Sequence, residues 1–370
     1  MTRVLWGRSP ILSICTGLAL GLAGCGGSST PPQISSSLGS AVDGVVNAAL
    51  QQQSIPGIAV ALAKNGTILY AQAYGFSNLA THQPAQTNTI FEIGSITKQF
   101  TAALIMKLQE QGKLHVDDSI NLYLPEYGFP PSITLRMLLT HTSGLWNYTS
   151  LPQYQSWAVN GVSEATVLTA VSQAPLEFKP GTSYSYSNSN FFALGAIIEK
   201  VTGKSYEANL QQYIFQPLGL VNTDYSLPPA TQSAVGYINS GVPAIVVDRS
   251  APFAAGALSS NVSDLVAWDY ALINGKVVSA DSFKAMTTSN GFTIPGGGSY
   301  GFGLGLDTFN NRNIIVHGGA INGFTADNVV FLDNGFIVVV LTNDDYGNPG
   351  ALVNNILNAV CNSTQLSGNC

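Results

Sequence analysis

Apolar positions fall into distinct rhythms along this chain. From Leu38 to Gln53 they recur at helical spacing (Leu38, Val42, Val45, Val46, Ala49, Leu50), which predicts an amphipathic helix. Gly57–Lys64 and Thr67–Tyr74 are apolar runs separated by Asn65-Gly66, a dipeptide that supplies the positive φ angles of a two-residue hairpin turn. The other end of the chain mirrors this. Asn313–His317, Asp327–Leu332 and Phe336–Thr342 read as strands, the last two joined through Asp333-Asn334-Gly335, and a helix over about Gly350–Val360 follows.

Between the two ends the pattern turns helical. Helices are predicted over Thr97–Gln111, Thr134–Leu139, Ser163–Ala174, Ser189–Thr202, Ser205–Ile214 and Ser263–Ile273. Strands at both ends with helices between them predict an α/β (α+β) fold. One antiparallel sheet is built from both chain ends and flanked by helices, and a mainly helical subdomain is inserted. The sheet part is expected at about 38–90 and 295–370, and the helical part at about 91–294. The junction of the two is where a reactive cleft is expected.

Composition narrows the class. Of 370 residues, 45% are hydrophobic and only 9% charged, with a net charge of −6. That is too apolar for a disordered chain. Fourteen Lys and Arg in total cannot supply a phosphate-tracking stripe, so nucleic acid is not an expected partner.

Residues 1–24 read as an address. Arg3 and Arg8 precede a 13-residue apolar run, Ile11–Ala23, too short for the ~20 residues a bilayer requires. Leu22-Ala23-Gly24-Cys25 then resembles the bacterial lipobox, in which the cysteine becomes the lipidated N-terminus. The expectation is an exported protein, held to the cell envelope only by lipid on Cys25, with 25–37 as a polar tether. Removing 1–24 takes away two arginines and no acid, so the net charge becomes −8. Cys361 and Cys370 are a candidate disulfide in an oxidising compartment.

Three short motifs carry chemistry. Ser95-Ile96-Thr97-Lys98 puts a hydroxyl and an amine on one face of a helix beginning near Ser95. A serine needs a neighbouring base to become a nucleophile, and a buried lysine of lowered pKa can serve. Tyr186-Ser187-Asn188 offers a phenol for proton relay and an amide to hold the lysine and a substrate carbonyl. His317-Gly318-Gly319, ending the strand through Val316, offers glycines against which a substrate can lie, followed by a backbone N–H able to donate to an oxyanion.

The order Ser-x-x-Lys, Tyr-x-Asn, His-Gly-Gly, at intervals of 91 and 131 residues, resembles the serine β-lactamase and penicillin-binding peptidase superfamily. The likeness is to the branch holding class C β-lactamases, D-Ala-D-Ala carboxypeptidases and related esterases. Leu138–Leu145 and Tyr300–Gly305 are also similar to that branch, and the likeness spans about Leu38–Val360.

The resemblance implies that Ser95 is acylated, that Lys98 and Tyr186 share the acid–base work, and that Asn188 orients substrate and lysine. It implies an oxyanion hole from the N–H groups of Ser95 and Ala320, and a role for Asn343 in recognising a substrate carboxylate. The implied substrate is a small-molecule or peptide amide or ester, with no metal or organic cofactor. Class C enzymes carry Lys-Thr-Gly where this chain has His317-Gly318-Gly319. A histidine partly charged at neutral pH therefore replaces a fixed cation, and Gly318 replaces a hydroxyl.

Two other readings compete. Gly297-Gly298-Ser299-Tyr300-Gly301 fits the G-x-S-x-G nucleophile elbow, but glycines and a proline precede it where a strand is needed, and no helix pattern follows. His141 is expected at a structural corner, and the four histidines have no metal-ligand spacing. A lipoprotein that binds cell-wall peptides or a partner without turnover is the alternative of a different class. The joint presence of Ser95, Lys98, Tyr186 and Asn188 argues for catalysis instead.

Overall fold

The computed structural model describes residues 36–238 and 241–361. The expected signal segment, Cys25, most of the tether, and Cys370 with its expected pairing to Cys361 lie outside the described residues.

Both chain ends contribute to one sheet. The N-terminal side supplies β1 (Gly57–Lys64), β2 (Thr67–Asn78) and the short β3 (Gln83–Pro84). The C-terminal side supplies β4 (Ser299–Tyr300), β5 (Gly305–Phe309), β6 (Arg312–Ile321), β7 (Phe324–Phe331) and β8 (Phe336–Thr342). The eight strands lie in the order β3-β2-β1-β8-β7-β6-β5-β4, all antiparallel. The first long strand therefore pairs with the last, Val60 opposite Val340.

The predicted turns are present. Asn65 and Gly66 have φ of +50° and +76°, the left-handed pair a tight hairpin demands. Asn65 N–H donates to the Gly335 carbonyl at 2.9 Å, so the two hairpin turns at that end of the sheet hold each other.

Alternation along β1 separates two layers. Ile58, Val60 and Leu62 pack against α1 (Ser36–Gln53) and the C-terminal helix, with Val42, Val46, Ile356 and Leu357 in the same core. Ala59, Ala61 and Ala63 point the other way, into the larger core that holds the central helices. These are α2 (Thr97–Glu110), α3 (Asn188–Thr202) and α4 (Val262–Ile273). Small side chains there let α4 lie close over β1 and β8.

Helix starts follow their caps. Thr134, Ser163, Ser205 and Asn261 each accept the backbone N–H three residues on, satisfying one of the donors a helix leaves free.

Two local expectations change. The helix expected over Ser205–Ile214 is α-helical only to Leu210, then widens into a π-turn over Gln211–Phe215. Pro217 follows, and its missing N–H and bulky ring disrupt regular i→i−4 bonding there. The strand expected over Asn313–His317 continues through Gly318-Gly319 to Ile321, because Gly318 and Gly319 stay paired with Asp327 and Ala326 on β7. As the glycines and proline before it imply, Ser299 is not in an elbow before a helix: it lies on an edge strand opposite Leu306.

Candidate active site

Ser95 sits in a 3₁₀ turn, Gly94–Ile96, that leads into α2. The helix starts at Thr97, as the pattern predicts, and Lys98 reaches back to Ser95 through the 3₁₀ turn. The turn is pressed directly onto β6. A Cβ on Gly319 would lie 2.0 Å from the Ile93 carbonyl oxygen, and one on Gly94 would lie 2.7 Å from the Ala320 nitrogen. Gly94 also has φ +48°. Glycine at both positions lets two backbones meet face to face, which brings the Ala320 peptide up against the turn that carries Ser95.

Lys98 is fully buried. Its Nζ lies 2.9 Å from Ser95 Oγ, 2.8 Å from Asn188 Oδ1 and 2.7 Å from the Ala255 carbonyl oxygen. Burial presses its pKa well below that of a free lysine. The partners differ in kind. The Ala255 carbonyl can only accept, and the Asn188 oxygen does likewise, its orientation set by the Nδ2 donation to Thr149 Oγ1 at 3.4 Å. A neutral amine has two N–H donors and one lone pair. In that form both donors go to these acceptors and the lone pair faces its third partner among the described residues, the Ser95 hydroxyl.

Tyr186 completes the group. Its hydroxyl interacts with the Ser95 side chain, and its ring centroid is 4.8 Å from Lys98 Nζ. Burial raises its pKa, so the phenol holds its proton, and the interaction with Ser95 partly offsets that. Asn188 is the first residue of α3, and its N–H donates to Asn147 Oδ1 at 3.0 Å.

Two cavities meet at Ser95 and Ala320. One, of about 230 Å³, includes Asn188, Tyr148, Tyr154, Val159, Ile245 and Ile321, and no charged residue lines it. The other, of about 760 Å³, is a more open groove that takes in Tyr186, Tyr300, His317, Gly318, Asp327 and Asp345. Among the described residues no group of three or more His, Cys, Asp or Glu could hold a metal ion.

The Beta-lactamase family model matches residues 42–360. The chain belongs to the β-lactamase family. It is 30% identical over 319 residues to penicillin-binding protein 4* of Bacillus subtilis, covering 77% of this chain and 68% of that one. It is 28% identical over 295 residues to a D-aminopeptidase of Gluconobacter oxydans, covering 78% of this chain but only 56% of that one. A D-stereospecific amidohydrolase from Streptomyces sp. superposes with TM-score 0.76 at 26% identity, over 88% of this chain and 99% of that one. As a member of this family the chain is a serine hydrolase.

Two residues that the family resemblance singled out behave differently here. Asn343 does not line the cleft. It is fully buried, and its Nδ2 lies within 3.4 Å of the carbonyl oxygens of Phe76, Ser77 and Val235. A buried amide must spend its donors, and this one ties three segments together. His317 is not partly charged at neutral pH. Burial above all presses its pKa to about 3. Its Nδ1 lies 2.7 Å from the Gly318 carbonyl oxygen, which can only accept, so Nδ1 carries the proton. Nε2 then accepts from the Tyr300 hydroxyl at 2.7 Å.

Tyr300 was missed as a site residue. It falls within the false elbow, but it is the tyrosine and not Ser299 that reaches the cleft. His141 is the expected corner, with φ +56°. Its Nδ1 accepts the Ser187 N–H at 3.2 Å and its ring centroid lies 4.3 Å from that of Tyr186, so it braces the tyrosine loop.

Gly319→Ala should separate β6 from the Ser95 turn. A displacement of about 1 Å is enough to slow acylation by a chromogenic ester on the order of 10²-fold. A stopped-flow acylation rate equal to that of the unaltered protein would contradict this contact.

Proposed function

We propose that this chain hydrolyses a small amide or ester through an acyl-enzyme on Ser95. The arrangement of Lys98 carries the proposal: a buried amine whose other two partners can only accept. Neutral Lys98 takes the Ser95 proton as Oγ attacks the substrate carbonyl. The Ser95 and Ala320 N–H groups receive the developing oxyanion. Tyr186 passes the proton to the leaving group as the scissile bond breaks. Asn188 holds the lysine and the acyl side of the substrate. Water then attacks the ester on Ser95 with the same groups acting in reverse.

The proton donor fixes the direction of the substrate. The leaving group lies in the groove on the Tyr186 side, and the acyl group in the uncharged pocket beside Asn188. That pocket suits an apolar acyl group. The relatives that bear the names D-aminopeptidase and D-stereospecific amidohydrolase support amides of D-configured acyl groups as the first substrates to try. A neutral His317 and a bare Gly318 disfavour efficient β-lactamase action, because the groove lacks the cation and hydroxyl that would hold a carboxylate. We also propose export and lipid attachment at Cys25, on the support of Leu22-Ala23-Gly24-Cys25 after a short apolar run.

Ser95→Ala should abolish turnover of a chromogenic ester, by on the order of 10³-fold or more, and remove the mass adduct left by a labelled penicillin or activated ester. A retained adduct would place the nucleophile elsewhere.

The pH profile of acylation gives a second check. Lys98 acts when neutral, so the rate should rise with pH through an ionisation far below that of free lysine. Asn188→Asp puts a carboxylate beside Nζ and favours the ammonium. The rising limb should move to higher pH and the neutral-pH rate should fall. An unmoved limb would exclude Lys98 as the titrating group.

Cys25→Ala should release the protein from the membrane fraction and abolish incorporation of labelled palmitate. Persistent labelling would refute the lipid site.

A further inference from the structure

The groove on the Tyr186 side holds carboxylates where carboxylate recognition would need a cation. Asp327 lies directly across the β6–β7 ladder from Gly318. A Cβ on Gly318 would meet nothing nearer than the Ala326 carbonyl oxygen at 3.9 Å, so no side chain at that position fills the space beside Asp327.

Asp327 is only 8% exposed, and its Oδ1 is buried with no hydrogen-bond partner. The carboxylate does receive the Asn328 N–H, yet burial still pushes its pKa up to about 7. Asp345 lines the same groove; its carboxylate receives the Gly323 N–H, while its Oδ1 is buried and unpartnered.

No lysine or arginine lines the groove, and His317 is neutral. Tyr184, Tyr186, Tyr300 and Tyr346 contribute aromatic rings. A groove that holds carboxylates with unpartnered oxygens, several aromatic rings and no cationic side chain is an environment for an ammonium group, which gains from both carboxylate and ring.

We propose that this groove selects leaving groups that carry an ammonium and discriminates against those that carry a free carboxylate, with Asp327 and Asp345 setting the preference. This rests on the acyl-enzyme reading above, which puts the leaving group beside Tyr186. For a choline ester the step is ordinary: Ser95 Oγ bonds to the acyl carbon, the carbon–oxygen bond to choline breaks, and choline leaves with the proton. Water then releases the acid.

The test compares three butyrate esters at pH 8: the choline ester, its uncharged 3,3-dimethylbutyl isostere, and an ester of 4-hydroxybutanoate that carries a carboxylate. The choline ester should show about tenfold higher kcat/KM than the isostere, with the carboxylate ester the poorest. Asp327→Asn, which keeps the shape, should remove most of that preference, and Asp345→Asn part of it.

Tetramethylammonium should compete with p-nitrophenyl butyrate, and less well in either variant. This second arm decides the matter if the alkyl esters turn over too slowly to rank. Equal kcat/KM for the cationic and neutral esters, or a preference that survives in both variants, would overturn the proposal. So would tetramethylammonium inhibition no stronger than that by acetate. If p-nitrophenyl butyrate leaves Ser95 unlabelled, the acyl-enzyme reading itself fails and takes this one with it.

Discussion

A single amine kept out of water organises this site. Burying a lysine is costly unless its donors are met or its charge is given up. Lys98 is offered both remedies. Two fixed acceptors, one from the Phe253–Gly256 segment and one from the start of α3, consume its donors, and burial lowers its affinity for the third proton. What remains is a lone pair directed at Ser95. Three separate elements must hold station for this, so the packing of α2, α3 and that short segment is inseparable from the chemistry.

The sheet makes its own contribution at close range. Gly94 and Gly319 remove two side chains where the Ser95 turn meets β6, and the gain is an Ala320 peptide held beside the nucleophile. Past Val316 the β5 partner has ended, so one edge of β6 is left unpaired from His317 onward. That free edge is where the two cavities meet. One side is uncharged and the other is acidic and aromatic.

Much of this was legible in the sequence where the signal is local. Asn65-Gly66 specified a hairpin because few other dipeptides take two left-handed residues. Thr134, Ser163 and Ser205 marked helix starts because their oxygens cap free N–H groups. Ser95 and Lys98 were visible as one helical turn, and Tyr186 with Asn188 as the residues leading into the next long helix.

The parts that were not legible depend on what distant segments bury. His317 was expected to be partly charged, but its titration is governed by burial. Asn343 looked available to substrate until Phe76, Ser77 and Val235 closed around it. The strand through Gly318 and Gly319 was cut short because glycine normally argues against a strand interior, whereas here the β7 ladder carries it onward. Tyr300 opened a family-like segment, yet nothing near it in sequence shows that it will donate to a histidine 17 residues away.

The protonation state of Lys98 can be observed directly. With lysine labelled at ¹³Cε and Lys98→Arg used to assign its signal, ¹³C NMR should find the free enzyme's Lys98 as a neutral amine at pH 7. Its titration should lie far below those of the surface lysines. A Lys98 that remains an ammonium until it titrates alongside them would contradict the mechanism at its base.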